Sequence, residues 1–223
     1  MTDWARTYEN LPYFLDALLT GAVMTAIVTA GGFIVSVLLG LVLAGCKTSR
    51  SRLLRTFAYI YVEIFRAVPV LTQLFVIYFG LGSIGIKLDP IPAAIIGFGL
   101  NGGAYLTEVF RAGIAAIDRG QSEAAIAIGM TRGMALRTII LPQTVRVVLP
   151  PIANFAIGLL KDTSLASAVA APELSFQAHM LADRTFLTTQ IYLLVALFYL
   201  AMSVPLSWLS RRLERRASRG VRA

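Results

Sequence analysis

Apolar positions crowd this chain into five long stretches separated by polar, mostly basic, connections. Residues 18–46 and 186–209 carry no charge. Residues 57–81 are apolar apart from Glu63 and Arg66, residues 91–117 apart from Glu108 and Arg111, and residues 147–170 apart from Lys161 and Asp162. Each stretch supplies the about 20 residues of helix that a bilayer crossing needs. Apolar residues are too dense in them to mark one stripe, as expected of helices that face both lipid and other helices. The pattern predicts an all-α integral membrane protein: a single domain over 1–223 with five transmembrane helices. Before the first stretch, residues 4–15 mix aromatics with charges around Asn10-Leu11-Pro12, and read as a short segment lying on the membrane surface.

Composition agrees with that pattern. Of 223 residues, 57% are hydrophobic and only 14% charged, against about 25% charged in soluble domains. One aqueous core cannot hide so much apolar surface. The net charge of +8 is therefore read as membrane orientation, with no nucleic-acid partner expected. Lys47, Arg50, Arg52 and Arg55 fill the first connection, Arg119, Arg132, Arg137 and Arg146 the third, and Arg211, Arg212, Arg215, Arg216, Arg219 and Arg222 the tail. The opposite side holds only Arg6, Lys87 and Arg184, with the acids Asp3, Glu9, Asp16, Asp89, Glu173 and Asp183. The positive-inside rule then sets the N-terminus outside, the C-terminus in the cytoplasm, and the tail arginines against anionic lipid. Asp3, Glu9 and Asp16 precede the first stretch, so no cleavable signal peptide is expected. A lone Cys46 has no partner for a disulfide and no neighbours for a metal site.

The connection at 118–146 reads as a short helix over 122–128 begun by Gln121 or Ser122, a turn closed by a left-handed Gly129, and a second amphipathic stretch over 131–141 ended by Pro142. Pro150-Pro151 mark the start of the following span. The spacing Glu123-Ala124-Ala125, three residues, Gly129, nine residues, Ile139, one residue, Leu141-Pro142 resembles the "EAA" signature of binding-protein-dependent ABC importer permeases. Tyr105, Glu108 and Arg111 to Ile114 before it extend the likeness, as do Thr144 to Asn154 and Lys161 to Leu165 after it, and Glu63 to Pro69 with Gln73 to Phe75 upstream. Together they resemble the polar-amino-acid subfamily, of five-span permeases with a type I importer fold. Ala67-Val68 depart from the Gly-Thr expected there, and Gly103 stands where serine is common; these bear on packing or substrate preference.

The resemblance implies a cytoplasmic coupling helix that docks in a dimeric ABC ATPase, by Glu123, Ala124, Ala125, Gly129, Met130, Thr131 and Arg132. Small alanines would admit a partner's surface, and Glu123 would cap the helix or pair with a cation. It also implies a second permease subunit, an extracytoplasmic amino-acid-binding protein, and a multi-pass location in the bacterial inner membrane. This chain would be no enzyme and carry no cofactor: ATP and Mg would be bound by the ATPase. Gly40 to Thr48 fails as a phosphate loop, since Cys46 separates its second glycine from Lys47 and the segment closes a hydrophobic span.

Ionisable residues inside spans cost about 2.5–3.5 kcal/mol each and need a reason. Glu63 with Arg66, and Glu108 with Arg111, are spaced i,i+3 and are expected to pair locally, for structure or gating. Lys161 and Asp162 are adjacent, hence about 100° apart on a helix, and Lys161 would sit about 20 Å into its span. With Thr163 and Ser164 they suit either a polar substrate path, matching an amino acid's carboxylate and ammonium, or helix–helix locking. Asn101 and Tyr105 either line the same path or bridge helices. His179 reads as part of a solvated outer loop. The rival reading is an ion-gradient-driven secondary transporter, which would want inverted repeats that the chain does not display. A membrane-embedded enzyme would want paired aspartates, a Ser–His set or a metal cluster within the spans.

Overall fold

The computed structural model describes residues 2–218; of the tail arginines, Arg219 and Arg222 lie outside them. Helix α1 (Asp3–Thr48) is 46 residues long, about 69 Å at 1.5 Å per residue. Thr2 caps it, its hydroxyl accepting from the Ala5 amide. Residues 4–15 are therefore the first turns of α1, with Pro12 inside it, and not a separate surface segment. The inward face of α1 carries small and hydroxyl residues, among them Gly21, Ala22, Thr25, Gly32, Ser36 and Gly40, while Leu19, Val23, Ile34 and Leu38 point outward. That is the pattern of a helix solvated by lipid: large aliphatics meet the acyl chains, and small residues let backbones approach.

The face opposite is α5 (Pro90–Ala115). The two helices run parallel, with Gly32 against Phe98, Gly99 against Val35, Gly103 against Leu39 and Gly40 against Leu106. A Cβ added at Gly102 would stand 2.2 Å from Ser36 Oγ and 2.4 Å from Phe155 Cζ, so only glycine lets these helices meet there. α5 is the buried centre of the bundle. Its glycines and Asn101 dilute its apolar character, and it is absent from the helices long and apolar enough to cross a membrane. Among the described residues those are α1, the run Arg132–Val169 and the run Thr188–Arg215, with a fourth if Arg52–Ala67 and Val70–Ser83 form one bent span.

That bend corrects the continuous span expected over 57–81. Helix α2 (Arg52–Ala67) stops at Val68, whose extended backbone is what a following proline demands. Helix α3 (Val70–Phe75) then leads through a π-helical turn, Val76–Gly80, into the short α4 (Leu81–Ser83). The two halves meet at 105°. The carbonyls released at the break are recovered by side chains: Gln73 Nε2 donates to Phe65 O and Val68 O at 2.8 Å each, and Asn101 Nδ2 donates to Phe65 O at 3.0 Å.

Beyond α5, α6 (Arg119–Ala127) and α7 (Arg132–Ala135) lead through a π-helical turn, Leu136–Ile140, into α8 (Leu141–Asp162). α8 runs antiparallel to α5, with Val148 against Gly113 and Phe155 against Gly102. It tightens into a 3-10 turn over Thr163–Val169, closed by Ala170 at φ 58°. Pro150 and Pro151 lie inside α8 and do not begin it.

The segment read as an outer loop is helical: α9 (Leu174–Thr185). α9 lies antiparallel along the first half of α1, burying Leu174, Ala178 and Leu181 against Phe14 and Leu18. Leu187, Ile191 and Val195 of α10 (Thr188–Ser218) close the same cluster. His179 stands on the exposed side of α9, 3.5 Å from Asp183.

Candidate functional site

Segment 118–141 is built as a helix, a reversal and a second helix. Asp118 opens α6, its side chain accepting the Gly120 amide at 2.7 Å, so the helix begins earlier than the Gln121 or Ser122 read from sequence. Gly129 takes φ +87°. Its amide bonds Ile126 O at 2.9 Å, and the Met130 amide reaches Ala125 O at 3.0 Å. This is a complete left-handed helix cap, available to glycine at little cost. Thr131 caps α7 by accepting from the Met134 amide at 3.3 Å. Pro142 does not stop the chain here. It has no N–H to lose, and the backbone absorbs it by widening one turn, so that Leu141 N–H bonds Leu136 O five residues back. The outcome is one 38-residue helical run, Arg132–Val169.

Two side-chain roles expected for this knob change. Glu123 lies in the middle of α6 and is exposed; it caps nothing. Ala125 is buried at 1% exposure and faces its own protein, leaving Ala124 as the exposed small residue. The sequence reading passed over Ile126, Ile128 and Met134, which stand exposed on the same knob at 49%, 78% and 52%. An apolar residue at each end of a glycine turn was the available signal.

A second site lies where α8 passes into its 3-10 turn. Lys161 and Ser164 face Tyr199, Leu200 and Ser203 of α10 across a cavity of about 410 Å³. The Ser203 hydroxyl is buried there without a partner among the described residues. The adjacent Asp162 is exposed and does not line this cavity, in keeping with the divergence expected of neighbouring helical residues. Thr163 is buried and spends its hydroxyl on Leu160 O at 2.7 Å. Asn101 is committed to the Phe65 carbonyl, and Tyr105 stacks on Phe155 with ring centroids 5.5 Å apart. The six path candidates are thus not gathered into one site: Lys161 and Ser164 share a cavity, and Asn101 bridges helices.

Behind Tyr199 stands a residue counted from sequence only among the outer acids. Glu173 is fully buried. One carboxylate oxygen caps α9 by accepting the Phe176 amide at 2.8 Å. The other accepts from Tyr199 Oη at 3.3 Å and Thr25 Oγ1 at 3.4 Å. Glutamate is not among the usual N-cap residues, so neither its capping role nor its burial was legible in the sequence.

Of the expected ion pairs, Arg111 Nε does bond Glu108 Oε2, at 2.8 Å. Glu63 and Arg66 form no ion pair among the described residues; both are exposed and line one cavity. Glu108 also bonds Lys47 Nζ, joining the C-terminal ends of α1 and α5. No three His, Cys, Asp or Glu side chains gather as metal ligands among the described residues.

The family model for "Binding-protein-dependent transport system inner membrane component" matches residues 36–219. The L-cystine transport system permease protein TcyB of Bacillus subtilis (strain 168) is 39% identical over 209 residues, covering 93% of this chain and 89% of that protein. The glutamine transport system permease protein GlnP of Escherichia coli (strain K12) is 33% identical over 216 residues, covering 96% of this chain and 97% of that one. A crystal structure of an amino acid ABC transporter with histidines superposes with a TM-score of 0.89 at 33% identity, covering 93% of this chain and 97% of that chain.

Proposed function

The chain belongs to the family of binding-protein-dependent transport system inner membrane components, and on that premise we propose that it is the membrane-spanning subunit of an ATP-driven importer of a polar amino acid. Five helical elements cross the membrane: α1, the bent α2–α4 unit, α5, α8 and α10. α5 has 26 residues, about 39 Å, and its glycines serve packing. The N-terminus lies outside and the C-terminus in the cytoplasm, at a bacterial inner membrane. The basic ends Lys47, Arg111 and Arg211 share one end of the bundle, since α1, α5 and α10 run parallel, and this supports the orientation.

The observation that carries the reading is the knob formed by α6 and the Gly129 turn. It is a short helix with a complete glycine cap and exposed apolar side chains, on a connection rich in arginine. Ile126, Ile128 and Met134 are all exposed on this knob, and grouped apolar exposure of this kind marks a contact with another protein. Two ATPase subunits, which bind ATP and Mg, receive one such knob from each of two permease subunits. Their closure displaces α6. Displacement passes the Gly129 turn into the unbroken run Arg132–Val169 and reaches Lys161 at its far end. Rocking of that run against α1 and α5 switches access to a path between two permeases. Lys161, with the hydroxyls of Ser164 and Ser203, provides a cation and donors for a carboxylate. An external binding protein delivers the amino acid.

The test is uptake by proteoliposomes holding this chain with its ATPase and binding protein, over a panel of glutamine, cystine, histidine and arginine. ATP inside should drive uptake that ionophores leave intact. Uptake that needs an ion gradient and ignores ATP would establish the secondary-transporter alternative instead.

A further inference from the structure

A polar cavity of about 390 Å³ between α1, α2 and α5 has no part in that mechanism. Lys47 comes from α1; Arg55, Tyr59, Glu63 and Arg66 from α2; Glu108 and Arg111 from α5. Four cations thus face two carboxylates, an excess of two positive charges. Glu108 is occupied on both oxygens, by Lys47 and by Arg111. Lys47 also stands 5.4 Å over the Tyr59 ring. Arg111 spends only Nε on that bond, and half its side chain is exposed. Arg55 and Arg66 form no ion pair among the described residues. Glu63, which lies between them, is likewise unpaired, so an anion entering here meets it at one wall.

α2 is two-faced. Leu53, Phe57, Ile60 and Ile64 stand exposed on one side, and Arg55, Tyr59, Glu63 and Arg66 line the cavity on the other. Tyr61 Oη, bonded to Leu100 O at 2.9 Å, fixes the helix on α5. On a crossing helix this division sets the apolar side against acyl chains while the charged side opens onto the cavity and its water. Guanidinium groups there have the fork geometry that phosphate oxygens accept, and basic pockets between helices at the cytoplasmic face suit phospholipid headgroups.

The geometry points to a binding site for the phosphate of an anionic phospholipid of the inner leaflet, held by Arg55, Arg66 and Arg111, with its acyl chains along Leu53, Phe57 and Ile60. The chemistry shared with free phosphate is the guanidinium fork; the adjoining apolar face selects the lipid. The assignment rests on the orientation proposed above, but its readout uses no ATP, no ATPase and no substrate, so failure of transport leaves it standing.

The full-length chain is placed in phosphatidylcholine nanodiscs doped with phosphatidylglycerol, and retained lipid is counted by native mass spectrometry after release into detergent. Wild type should retain phosphatidylglycerol over phosphatidylcholine, and the Arg55→Gln/Arg66→Gln pair should lower that retention about tenfold. Arg50→Gln, on the same connection but outside the cavity, should retain lipid as wild type does. Equal loss with Arg50→Gln would mean diffuse attraction and overturn the site. Retention that is the same in wild type and the double variant would also overturn it. Inorganic phosphate, titrated calorimetrically into the chain in pure phosphatidylcholine nanodiscs, should give no saturable heat. Saturable binding of phosphate without lipid retention would overturn the lipid assignment in favour of a soluble anion. Thermal unfolding of both variants within a few degrees of wild type keeps misfolding out of the comparison.

Discussion

Thr25 and Glu173, 148 residues apart in the chain, meet in the buried seam of α1, α9 and α10, the threonine hydroxyl donating to the carboxylate at 3.4 Å. The same hydroxyl accepts the Leu174 amide at 3.1 Å. Both side chains are fully buried. Tyr199 donates to the same carboxylate from α10, so one acidic group ties three helices together and sets the tyrosine that walls the Lys161 cavity.

Glu173→Ala should therefore destabilise strongly. It strips Thr25, Tyr199 and the Phe176 amide of their acceptor at once, and each buried group left unsatisfied costs about 1–3 kcal/mol. Glu173→Gln keeps an acceptor oxygen and should lose much less. Thermal unfolding in detergent reads the difference; an alanine variant as stable as wild type would show that the joint carries no weight.

The break at Pro69 makes a parallel case. Gln73→Leu preserves bulk but leaves Phe65 O and Val68 O without the amide that serves both, at about 1–3 kcal/mol for a buried unsatisfied acceptor. Asn101→Leu removes only one of two donors to Phe65 O and should cost less. Hydrogen exchange across residues 64–73 should rise in the first variant more than in the second.

At the α1–α5 contact the prediction concerns volume. Gly102→Ala sets a methyl group 2.2 Å from Ser36 Oγ, and overpacking of this kind costs about 1–3 kcal/mol. Gly45→Ala, near the end of α1 with nothing within 4 Å, should be neutral or slightly stabilising. Matching melting temperatures for the two variants would refute the close approach.

The sequence showed some of this plainly and hid the rest for physical reasons. The long middle parts of α1 and α10 are legible because no charge falls within residues 18–46 or 186–209, and the Gly129 reversal because few residues tolerate φ +87°. The bend at Pro69 escaped a hydropathy reading, which sums side chains and ignores what proline does to Val68. The stretch 171–185 read as a loop because α9 is amphipathic and short; its apolar face is defined only by Phe14 and Leu18 of α1. Lys47–Glu108 pairs residues 61 apart, and no local spacing announces it. Ala125 and Ala124 are indistinguishable in sequence, yet one is core and the other surface.

Lys161→Ala should raise KM for uptake about tenfold, the order of one charge-assisted hydrogen bond of about 1.5–3 kcal/mol, while leaving ATPase assembly unchanged. Asp162→Asn, which alters a side chain outside the cavity, should shift KM less. A Lys161→Ala transporter with wild-type uptake kinetics would return this lysine to a helix-locking role.

The most direct test is chemical contact at the knob. In a Cys46→Ser background, Ile128→Cys should form a cross-link to the partner ATPase in the assembled complex, changing in yield between ATP-bound and nucleotide-free states. In whole cells the same cysteine should resist a membrane-impermeant maleimide. Labelling from outside, or an assembled and active complex in which this cysteine never reaches the ATPase, would contradict the account.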